Sequence, residues 1–525
     1  MAVRWPRRGG STELPGSPVW MVPGLLTLAV TLAGIGHAQP WRDELATWSA
    51  ATRPVADLLR MTRHIDAATG PYYLLMHGWT AMAGISPTAL RLPSALAMAV
   101  AAALTARLGT VLAGRRAGLL AGLLFAVLPG TSRYGQEARP YALATLLAVL
   151  ATLLLVEAVR RPTWRRWAGY AVVVAALGPL HLLALTLLAA HGVAVLLVTV
   201  WGPAAIGLAR SGADRDRPGS DRRVLAWWLL TLLPAALLVA PVALTARGQR
   251  GRQLDWVEPA RLPDLAALPG GLAQSGVVGG FVLALAALGA ARLGRRALLP
   301  GAAVLLPVLL VYTASTVVPL WVTRYLIFTV PFACVLAGVA LCAAVPTAPG
   351  AAGTAAPERG RAAWARAGIR IAPALAVVTL AGLLGLPDQT ALRRTHEWPR
   401  STPVDYAGAA RVVATGARPG DAIVYAPRGG WLFPDLGMAY HLGPKLPRDV
   451  LVVRDQRAGA SLWAQECADP ARCLAGVDRV WLVVTGRRAD PLAAVSGAKG
   501  DALRAGFTVR QVWPRPGLTV ALLAR

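Results

Sequence analysis

The composition of this 525-residue chain excludes a disordered chain, an acidic tail protein and an ordinary cytosolic enzyme. Hydrophobic residues make up 55% of the chain and charged residues only 15%, whereas soluble domains carry roughly 25% charged residues. Four cysteines are too few for a disulfide-built scaffold. The net charge of +27 does not predict nucleic-acid binding, because the arginines recur in short clusters between apolar runs. That pattern is typical of the cytoplasmic loops of a multispanning membrane protein.

Eleven apolar runs predict membrane-spanning helices, each of which needs roughly 20 mostly apolar residues. The runs cover residues 19–37, 88–112, 117–132, 140–159, 167–180, 182–201, 224–245, 271–291, 297–317, 320–345 and 369–387. The arginines before the first run are not followed by a small-residue cleavage site. We therefore predict a cytoplasmic tail, 1–18, and a retained first helix rather than a removed signal. The glycine-rich stretch 347–357 is interpreted as a cytoplasmic linker.

The arginine clusters predict how the chain is oriented in a cytoplasmic membrane. With the N-terminus inside, the clusters fall in alternate loops on the cytoplasmic side, as the positive-inside rule requires. These clusters lie at 115–116, 160–166, 210–223, 295–296 and 359–370. The other loops then lie outside, at 38–87, 133–139, 246–270 and 318–324. The tail 388–525 is also predicted to be extracytoplasmic.

The tail 388–525 is predicted to be a small α/β domain that follows the membrane domain 19–387. Four short apolar runs flanked by Gly, Pro or Asp predict strands, at 422–425, 450–453, 480–484 and 518–523. A helix is predicted over 405–416, because Tyr406, Ala409, Ala410 and Val413 share one of its faces.

The cysteines divide between the two regions. Cys467 and Cys473 lie six residues apart in the tail, where an extracytoplasmic compartment permits a disulfide. The sequence leaves this pairing open. Cys334 and Cys342 lie in an apolar run and are predicted to be core thiols.

Acidic residues are concentrated in the first outer loop, 38–87, directly after the first predicted helix. Asp43 and Glu44 stand at the start of this loop and Asp66 further along it. A carboxylate near the membrane is costly unless it stays hydrated, paired or functional. The alternative is that the Asp43-Glu44 pair complements the dipole of a helix that begins there.

Three further polar groups lie at outer helix junctions. The turn 133–139 contains Arg133, Gln136, Glu137 and Arg139 and is followed by Tyr141, although a turn needs only small polar residues. The alternative is a solvated turn with an Arg–Glu pair.

The other two groups are Arg324 with Tyr325, and His181. Arg324 and Tyr325 stand at the outer end of a span, where a snorkelling arginine beside an aromatic residue is the alternative interpretation. His181 follows Gly178-Pro179, and the alternative interpretation is a structural histidine.

The acidic first outer loop and the arginines of the other junctions are predicted to lie on one side of the membrane. An acid that accepts a proton and cations that hold an anionic leaving group suit group transfer from a lipid phosphate. The absence of a P-loop, a GxGxxG after a strand and an HExxH argues against a nucleotide cofactor.

Several segments resemble the polyprenyl-phosphate-sugar-dependent glycosyltransferases of the GT-C fold. The similarity is greatest to the bacterial branch of glycosyltransferase family 39, related to protein O-mannosyltransferases and aminoarabinose transferases. It covers about residues 35–345 and rests on the segments 41–44, 66, 70–79, 90–94, 133–143, 253–257 and 324–326. The string Arg-Tyr-Gly-Gln-Glu-Ala-Arg-Pro-Tyr at 133–141 is the most specific of these.

The resemblance implies a GT-C-like polytopic helical membrane enzyme that transfers one sugar with inversion. The donor would be a mannose- or arabinose-type sugar on a polyprenyl phosphate, and the acceptor an extracytoplasmic protein, glycolipid or polysaccharide. It implies Asp43 as the candidate base with Glu44 beside it. We predict that Arg139 and Arg324, from their positions at outer helix junctions, stabilise the departing phosphate. The predicted substrate-binding residues are Asp66, Tyr72, Gln136, Glu137, Arg139, Tyr141, His181, Arg324 and Tyr325.

One departure from the family remains relevant. Relatives often read His-Pro-Pro before the tyrosine pair, where this sequence reads Thr69-Gly70-Pro71, so a divalent metal is left open and no metal ligand is assigned. An amphipathic stretch around Val55, Leu58, Leu59 and Met61 is predicted to lie on the membrane surface.

Two alternative functions are a transporter or lipid flippase and a non-catalytic cell-envelope scaffold. A transporter often shows inverted repeats and polar residues at the bilayer midplane.

Overall fold

The computed structural model describes residues 19–208, 222–343, 361–394 and 404–525. The N-terminal tail 1–18, the glycine-rich stretch 347–357, residues 210–221 of one arginine cluster and the side chains of the cluster at 359–370 lie outside this description.

The described part of the chain before the tail is helical. Its α-helices are α1 Met21–Leu32, α2 Arg42–Ala51, α3 Val55–His64, α4 Gly70–Ala83, α5 Pro87–Ala113, α6 Arg115–Val127, α7 Pro129–Gly135, α8 Tyr141–Arg160, α9 Trp164–Leu180, α10 Leu187–Trp201, α11 Arg222–Gln253, α12 Leu262–Ala273, α13 Gly276–Leu293, α14 Leu298–Ser315, α15 Val330–Ala343, α16 Arg361–Leu384 and α17 Leu386–Arg394. Short 3₁₀ turns are formed by Ala67–Thr69, Leu182–Thr186, Pro203–Ile206, Gly294–Ala297 and Thr323–Thr329.

Each of the eleven predicted apolar runs contains a helix, which confirms the polytopic helical class. Six helices in the described ranges are long and apolar enough to cross a membrane, or seven if the bent pair α16–α17 forms one span. This count is below eleven because several runs form shorter helices: α1 has 12 residues, α6 has 13 and α9 has 17. In addition, 276–315 counts as a single stretch, although Gly294 interrupts it at a φ of +59°.

A chain of buried and partly buried hydrogen bonds joins four of the helices. Trp228 of α11 donates to the hydroxyl of Tyr170 on α9 at 3.1 Å, and this hydroxyl lies 2.9 Å from Nδ1 of His191 on α10. Nε2 of His191 lies 2.9 Å from the hydroxyl of Thr152 on α8, which donates to the Ala148 carbonyl. Because the single hydroxyl proton of Thr152 goes to the Ala148 carbonyl, Thr152 accepts its other hydrogen bond from Nε2 of His191.

The described residues of the tail from 404 onward form one five-stranded sheet, one two-stranded sheet and four α-helices. The strands are β1 Ala422–Ala426, β2 Arg448–Asp449, β3 Val452–Arg454, β4 Gln465–Glu466, β5 Arg479–Thr485, β6 Thr508–Arg515 and β7 Leu518–Ala524. The helices are α18 Tyr406–Gly416, α19 Pro434–Leu442, α20 Pro470–Cys473 and α21 Gly497–Gly506. The larger sheet has the order β2-β1-β5-β7-β6. β1 runs parallel to β2 and β5, and β7 is antiparallel to both β5 and β6.

Most secondary-structure predictions for the tail are confirmed. The predicted strands at 422–425, 480–484 and 518–523 are β1, β5 and β7. The helix predicted over 405–416 is α18, which buries Tyr406, Ala409, Ala410 and Val413 as expected. The strand predicted over 450–453 is wrong in extent, because the chain turns between β2 and β3. The edge strand β6 was not predicted, since most of its residues are exposed.

The disulfide that the sequence left open is formed, and one of the two predicted core thiols is fully buried. Cys467 and Cys473 form a disulfide in the tail. Cys334 is a free thiol buried in the helical core, and Cys342 is free and half-buried.

The tail packs directly on the first outer loop. Arg53, two residues after α2, is 1% exposed and donates to the carbonyls of Ser461 at 2.7 Å and Gln456 at 3.2 Å. Trp48 of α2 meets Tyr440 of α19 edge-to-face, with ring centroids 5.3 Å apart. The tail therefore lies on the same side of the bilayer as the loop 38–87.

The predicted amphipathic stretch of that loop is α3. Leu58 and Met61 are buried, whereas Val55 and Leu59 are 44% and 42% exposed. The helix therefore has one face against the protein and one apolar face outward. Its contact with a membrane surface stays a prediction.

Candidate active site

The Asp43 carboxylate lies in the first turn of α2 and faces cationic side chains. Its Oδ2 atom is 3.7 Å from Nη2 of Arg324, and its Oδ1 atom is 3.9 Å from Nε of Arg42. Oδ2 is buried and accepts no hydrogen bond from the described residues, although 18% of the side chain is exposed. Asp43 is thus held close to cations while one oxygen remains available to a ligand.

Arg324 reaches this carboxylate from the 3₁₀ turn Thr323–Thr329, at the N-terminal end of the candidate span Thr323–Cys342. Its Nε donates to the Tyr141 hydroxyl at 2.9 Å. Its guanidinium carbon lies 5.5 Å from the ring centre of Trp256 and 5.6 Å from that of Tyr325. The aromatic rings and the tyrosine hydroxyl fix the guanidinium while leaving some of its N–H donors for an anion.

Arg139 approaches from the turn after α7. Its Nη1 donates to the Tyr73 hydroxyl at 3.4 Å, and its buried Nε has no hydrogen-bond partner in the described part of the chain. A buried charged donor without a partner is costly. Arg139 is therefore suited to receive an anion at this place.

The cations determine the charge of Asp43. Burial alone would raise the pKa of the Asp43 carboxyl, but Arg139, Arg324, Arg42 and Arg133 together hold that pKa below its ordinary value. Asp43 is consequently ionised at neutral pH.

Glu137 is the second carboxylate near this cluster, and its environment is different. It is 1% exposed, and neither carboxylate oxygen has a hydrogen-bond partner among the described residues. Burial raises the pKa of Glu137 to about 7, against the opposing effect of Arg133, whose Nε lies 3.7 Å away. Arg133 itself stacks 4.9 Å from the ring centre of Trp41. The two carboxyl groups therefore titrate in different pH ranges.

Glu44 is fully engaged in a structural ion pair. Nε of Arg91 donates to its Oε1 at 2.8 Å and Nη2 of Arg91 to its Oε2 at 2.7 Å, and both side chains are 1% exposed. The backbone N–H of Ala138 and, at 3.3 Å, that of Trp41 also donate to this carboxylate. Glu44 thus joins α2, α5 and the turn after α7, and it presents no free oxygen to a substrate.

Asp66 is likewise occupied by the protein. It adopts a φ of +58° before the turn Ala67–Thr69 and is 5% exposed. Its carboxylate accepts from the Thr69 hydroxyl at 2.7 Å and also from Tyr73 and the Gln253 amide. Tyr73 accepts a hydrogen bond from Arg139 and donates one to Asp66. Asp66 therefore links Arg139, through Tyr73, to Gln253 at the end of α11.

The remaining predicted residues surround the cluster. The side-chain amide of Gln136 donates to the Thr31 carbonyl at 2.7 Å and to the Ala33 carbonyl at 2.9 Å, which fastens the turn to α1. Tyr72 is fully buried on α4, and burial raises the pKa of its hydroxyl.

Tyr141, His181 and Tyr325 form one aromatic group beside Arg324. Their ring centres are 5.9 Å apart for Tyr141 and His181, 5.8 Å for His181 and Tyr325, and 6.2 Å for Tyr141 and Tyr325. Burial lowers the pKa of His181 to about 4, so this ring is neutral. Its Nδ1 atom accepts from the backbone N–H of Ala184.

Three residues near the cluster were not predicted from the sequence to be site residues: Arg91, Tyr73 and Trp256. Arg91 carried a usable signal, because an arginine inside an apolar run requires a buried partner. Tyr73 and Trp256 could not be distinguished from ordinary interfacial aromatic residues. No group of three or more His, Cys, Asp or Glu side chains in the described ranges is arranged to hold a metal ion.

The pH dependence of stability tests the environment of Glu137. The folded protein loses this proton near pH 7 and the unfolded chain near pH 4.5. Between these values the folded state binds more protons, so Glu137 makes the free energy of unfolding fall as pH rises, by at most about 1.4 kcal/mol per pH unit. We expect Glu137→Gln to flatten this dependence, as measured by chemical or thermal unfolding in detergent at pH 4.5 to 7.5.

A matched control is Glu258→Gln, since the Glu258 side chain is 80% exposed. This variant should keep the wild-type slope. Equal slopes for wild type and Glu137→Gln would contradict the raised pKa of Glu137.

Comparison with known proteins found one matching family model and several similar solved structures. The family model described as dolichyl-phosphate-mannose-protein mannosyltransferase matches residues 71–206, a segment that contains Glu137, Arg139, Tyr141 and His181. No curated protein sequence matches the chain. ArnT from Cupriavidus metallidurans in the apo state is similar in structure, with a TM-score of 0.56 and 13% identity over 96% of this chain and 97% of ArnT.

ArnT from the same organism bound to undecaprenyl phosphate is similar with a TM-score of 0.58 and 13% identity, over 97% of this chain and 98% of ArnT. The resemblance expected from the sequence is therefore confirmed: residues 71–206 match this family model, and the chain has the GT-C-like fold of ArnT.

Proposed function

We propose that the chain is a glycosyltransferase of the cytoplasmic membrane that moves one sugar from a polyprenyl-phosphate donor to an extracytoplasmic acceptor. The observation that carries this proposal is the ionised Asp43 carboxylate beside Arg324 and Arg139. One buried oxygen of Asp43 and the Nε of Arg139 have no partner in the described part of the chain. A proton acceptor and unsatisfied cationic donors thus face the same small region.

The reaction is a single inverting displacement at the anomeric carbon. The acceptor hydroxyl oxygen forms a bond to that carbon as the bond between the carbon and the phosphate oxygen breaks, and the hydroxyl proton passes to Asp43. The departing polyprenyl phosphate takes the bonding electron pair and gains one negative charge. Arg139 and Arg324 lower the barrier because they interact more strongly with this product-like charge than with the donor.

The cluster is positioned for a lipid-linked donor. Arg324 and Tyr141 stand at the outer ends of apolar helices, so a phosphate held there leaves its polyprenyl chain beside the membrane-spanning segments. The undecaprenyl phosphate bound to the structurally similar ArnT supports the same class of lipid. The mannosyl description of the matching family model and the similarity to ArnT support a mannose- or arabinose-type sugar. A protein, glycolipid or polysaccharide would be the acceptor.

The other predicted residues divide into two roles in this proposal. Tyr141, His181 and Tyr325 form an aromatic wall for the sugar or the first part of the lipid, with Tyr72 and Glu137 bordering it. Glu44, Asp66 and Gln136 position the loop, the turn and α1 around the site rather than contacting substrate, because each is occupied by protein groups.

The location of the cluster also bears on the alternatives. A transporter or lipid flippase is expected to hold its substrate near the bilayer midplane, whereas Asp43, Arg139 and Arg324 lie at helix ends beside the packed tail. This placement supports surface chemistry on a membrane lipid. We propose that the side concerned, with the tail, is extracytoplasmic, as the arginine clusters indicate.

Replacing the candidate base gives the first test. Asp43→Asn keeps the size of the side chain but cannot accept the proton, so we expect turnover to fall by about 10²–10⁴-fold with little change in donor binding. Turnover is measured as release of free polyprenyl phosphate from radiolabelled donors that carry mannose or arabinose.

Asp57→Asn is the control for this experiment, because Asp57 lies in the same outer loop and pairs with the exposed Arg60. This control should retain full turnover. Near-normal turnover of Asp43→Asn would contradict the role of Asp43, and an absence of donor cleavage by the wild-type protein would contradict the proposed activity.

Replacement of the two arginines tests the proposed leaving-group site. We expect Arg139→Ala and Arg324→Ala each to lower turnover by about 10²–10³-fold. The lysine variants should be intermediate, since lysine keeps the charge but lacks the planar fork. Turnover is normalised to folded protein.

Arg261→Ala provides the control, because Arg261 is 73% exposed in another outer loop and should be dispensable. If the arginines only snorkel, lysine will restore full turnover and alanine will chiefly reduce the amount of folded protein. That result would remove Arg139 and Arg324 from the reaction.

A further inference from the structure

A pocket lies in the tail, between α18 and the edge strand β6. Its volume is about 280 Å³, and it is lined by Arg411, Val412, Thr415, Gly416, Trp513 and Arg515. The pocket combines one large aromatic face with two guanidinium groups. None of these residues belongs to the cluster around Asp43.

The aromatic face of the pocket is held rigidly. Trp513 stacks on Trp481 with ring centres 5.6 Å apart and an interplanar angle of 27°. Trp481 is 1% exposed, and its indole N–H donates to Asp421 at 2.8 Å. Gly416 permits this packing, because a Cβ atom there would lie 2.7 Å from the Trp481 ring. Trp513 therefore presents a fixed flat surface to a ligand, and its side chain loses little conformational entropy on binding.

The two arginines of the pocket are available to an anion. The Nε atom of Arg515 is buried without a hydrogen-bond partner among the residues that the structure describes. Arg411 is exposed and forms no ion pair with any described residue. Asp421, the acid beside Trp481, is already 3.5 Å from Arg479. The pocket thus carries excess positive charge and a buried donor that a ligand could satisfy.

We propose that this pocket binds a saccharide that carries a carboxylate or phosphate group. The apolar face of a sugar ring packs on Trp513, in the way that aromatic side chains pack on flat ligands. The anionic group accepts charge-assisted hydrogen bonds from Arg411 and Arg515, whose planar forks suit both carboxylate and phosphate.

The pocket is linked to the outer loop by α18. The N-terminal end of this helix contacts the loop just before α2: the backbone N–H of Ala407 donates to the side-chain oxygen of Gln39 at 2.7 Å. A saccharide bound to α18 is therefore held on a helix that is anchored close to Asp43. The binding itself does not depend on sugar transfer, so the inference goes beyond the proposed function.

Calorimetric titration of the full-length protein in lipid nanodiscs tests this inference. The probes are a galacturonic acid trimer against a neutral galactose trimer, and mannose 6-phosphate against mannose. We expect the acidic members to bind at least about tenfold more tightly than their neutral counterparts, since they alone engage the guanidinium groups. The two pairs distinguish carboxylate from phosphate as the preferred anion.

Variants locate the binding. Arg411→Gln and Arg515→Gln should each weaken binding of the better acidic probe by about tenfold or more, and Trp513→Ala should abolish it. Arg510→Gln is the matched control, because Arg510 is an exposed residue of the same strand that donates to the Arg525 carbonyl outside the pocket. Thermal unfolding shows whether each variant is folded. If Trp513→Ala does not fold, the two arginine variants alone still test the site.

Three results would overturn the inference: no saccharide binding, equal affinity for acidic and neutral probes, or wild-type affinity in both arginine variants. Asp43→Asn should bind the acidic probe as the wild type does. If that binding persists while the wild-type protein cleaves no donor, the proposed function fails and the pocket stands. If the wild-type protein cleaves the donor but binds no saccharide, the proposed function stands and the saccharide site is contradicted.

Discussion

The buried ion pair between Arg91 and Glu44 is the interaction on which the arrangement of the site depends. Arg91 also donates to the carbonyls of Ile35 and Ala38 at 2.7 Å, so one guanidinium fixes the end of the first helical segment and the start of α2. Breaking a buried pair by removing one partner typically costs about 3–5 kcal/mol. The pair therefore determines where α2 begins and, through it, where the adjacent Asp43 points.

Adjacent residues of the same chemical type consequently have opposite roles. Glu44 faces inward and is satisfied by Arg91 and backbone N–H groups, whereas Asp43 faces Arg324 and keeps a buried oxygen without a partner in the described ranges. The cations keep Asp43 ionised, and burial keeps the Glu137 pKa near 7. Environments that separate the pKa values of neighbouring carboxyl groups are typical of sites that perform acid–base chemistry. The tail completes this region by packing on α2 through Arg53 and Trp48.

The sequence predicted the features that depend on local pattern. Apolar runs located the helices, and Tyr406 with its three partners defined the buried face of α18. The sequence did not separate Asp43 from Glu44, because their difference arises from Arg91, which lies far along the chain. Nor could it show that Asp66 is occupied by Tyr73 and Gln253, which are brought together only by the fold. The strand β6 escaped prediction because an exposed edge strand has no apolar run, and the pocket beside it was missed for the same reason.

The position of a bound polyprenyl phosphate tests the account most directly. A structure of the protein determined with this lipid should show phosphate oxygens within hydrogen-bonding distance of both Arg139 and Arg324. The phosphate should also lie next to the Asp43 carboxylate, with the lipid chain running beside the apolar helices. A phosphate bound elsewhere, with Arg139 and Arg324 still contacting only Tyr73 and Tyr141, would contradict the proposed site.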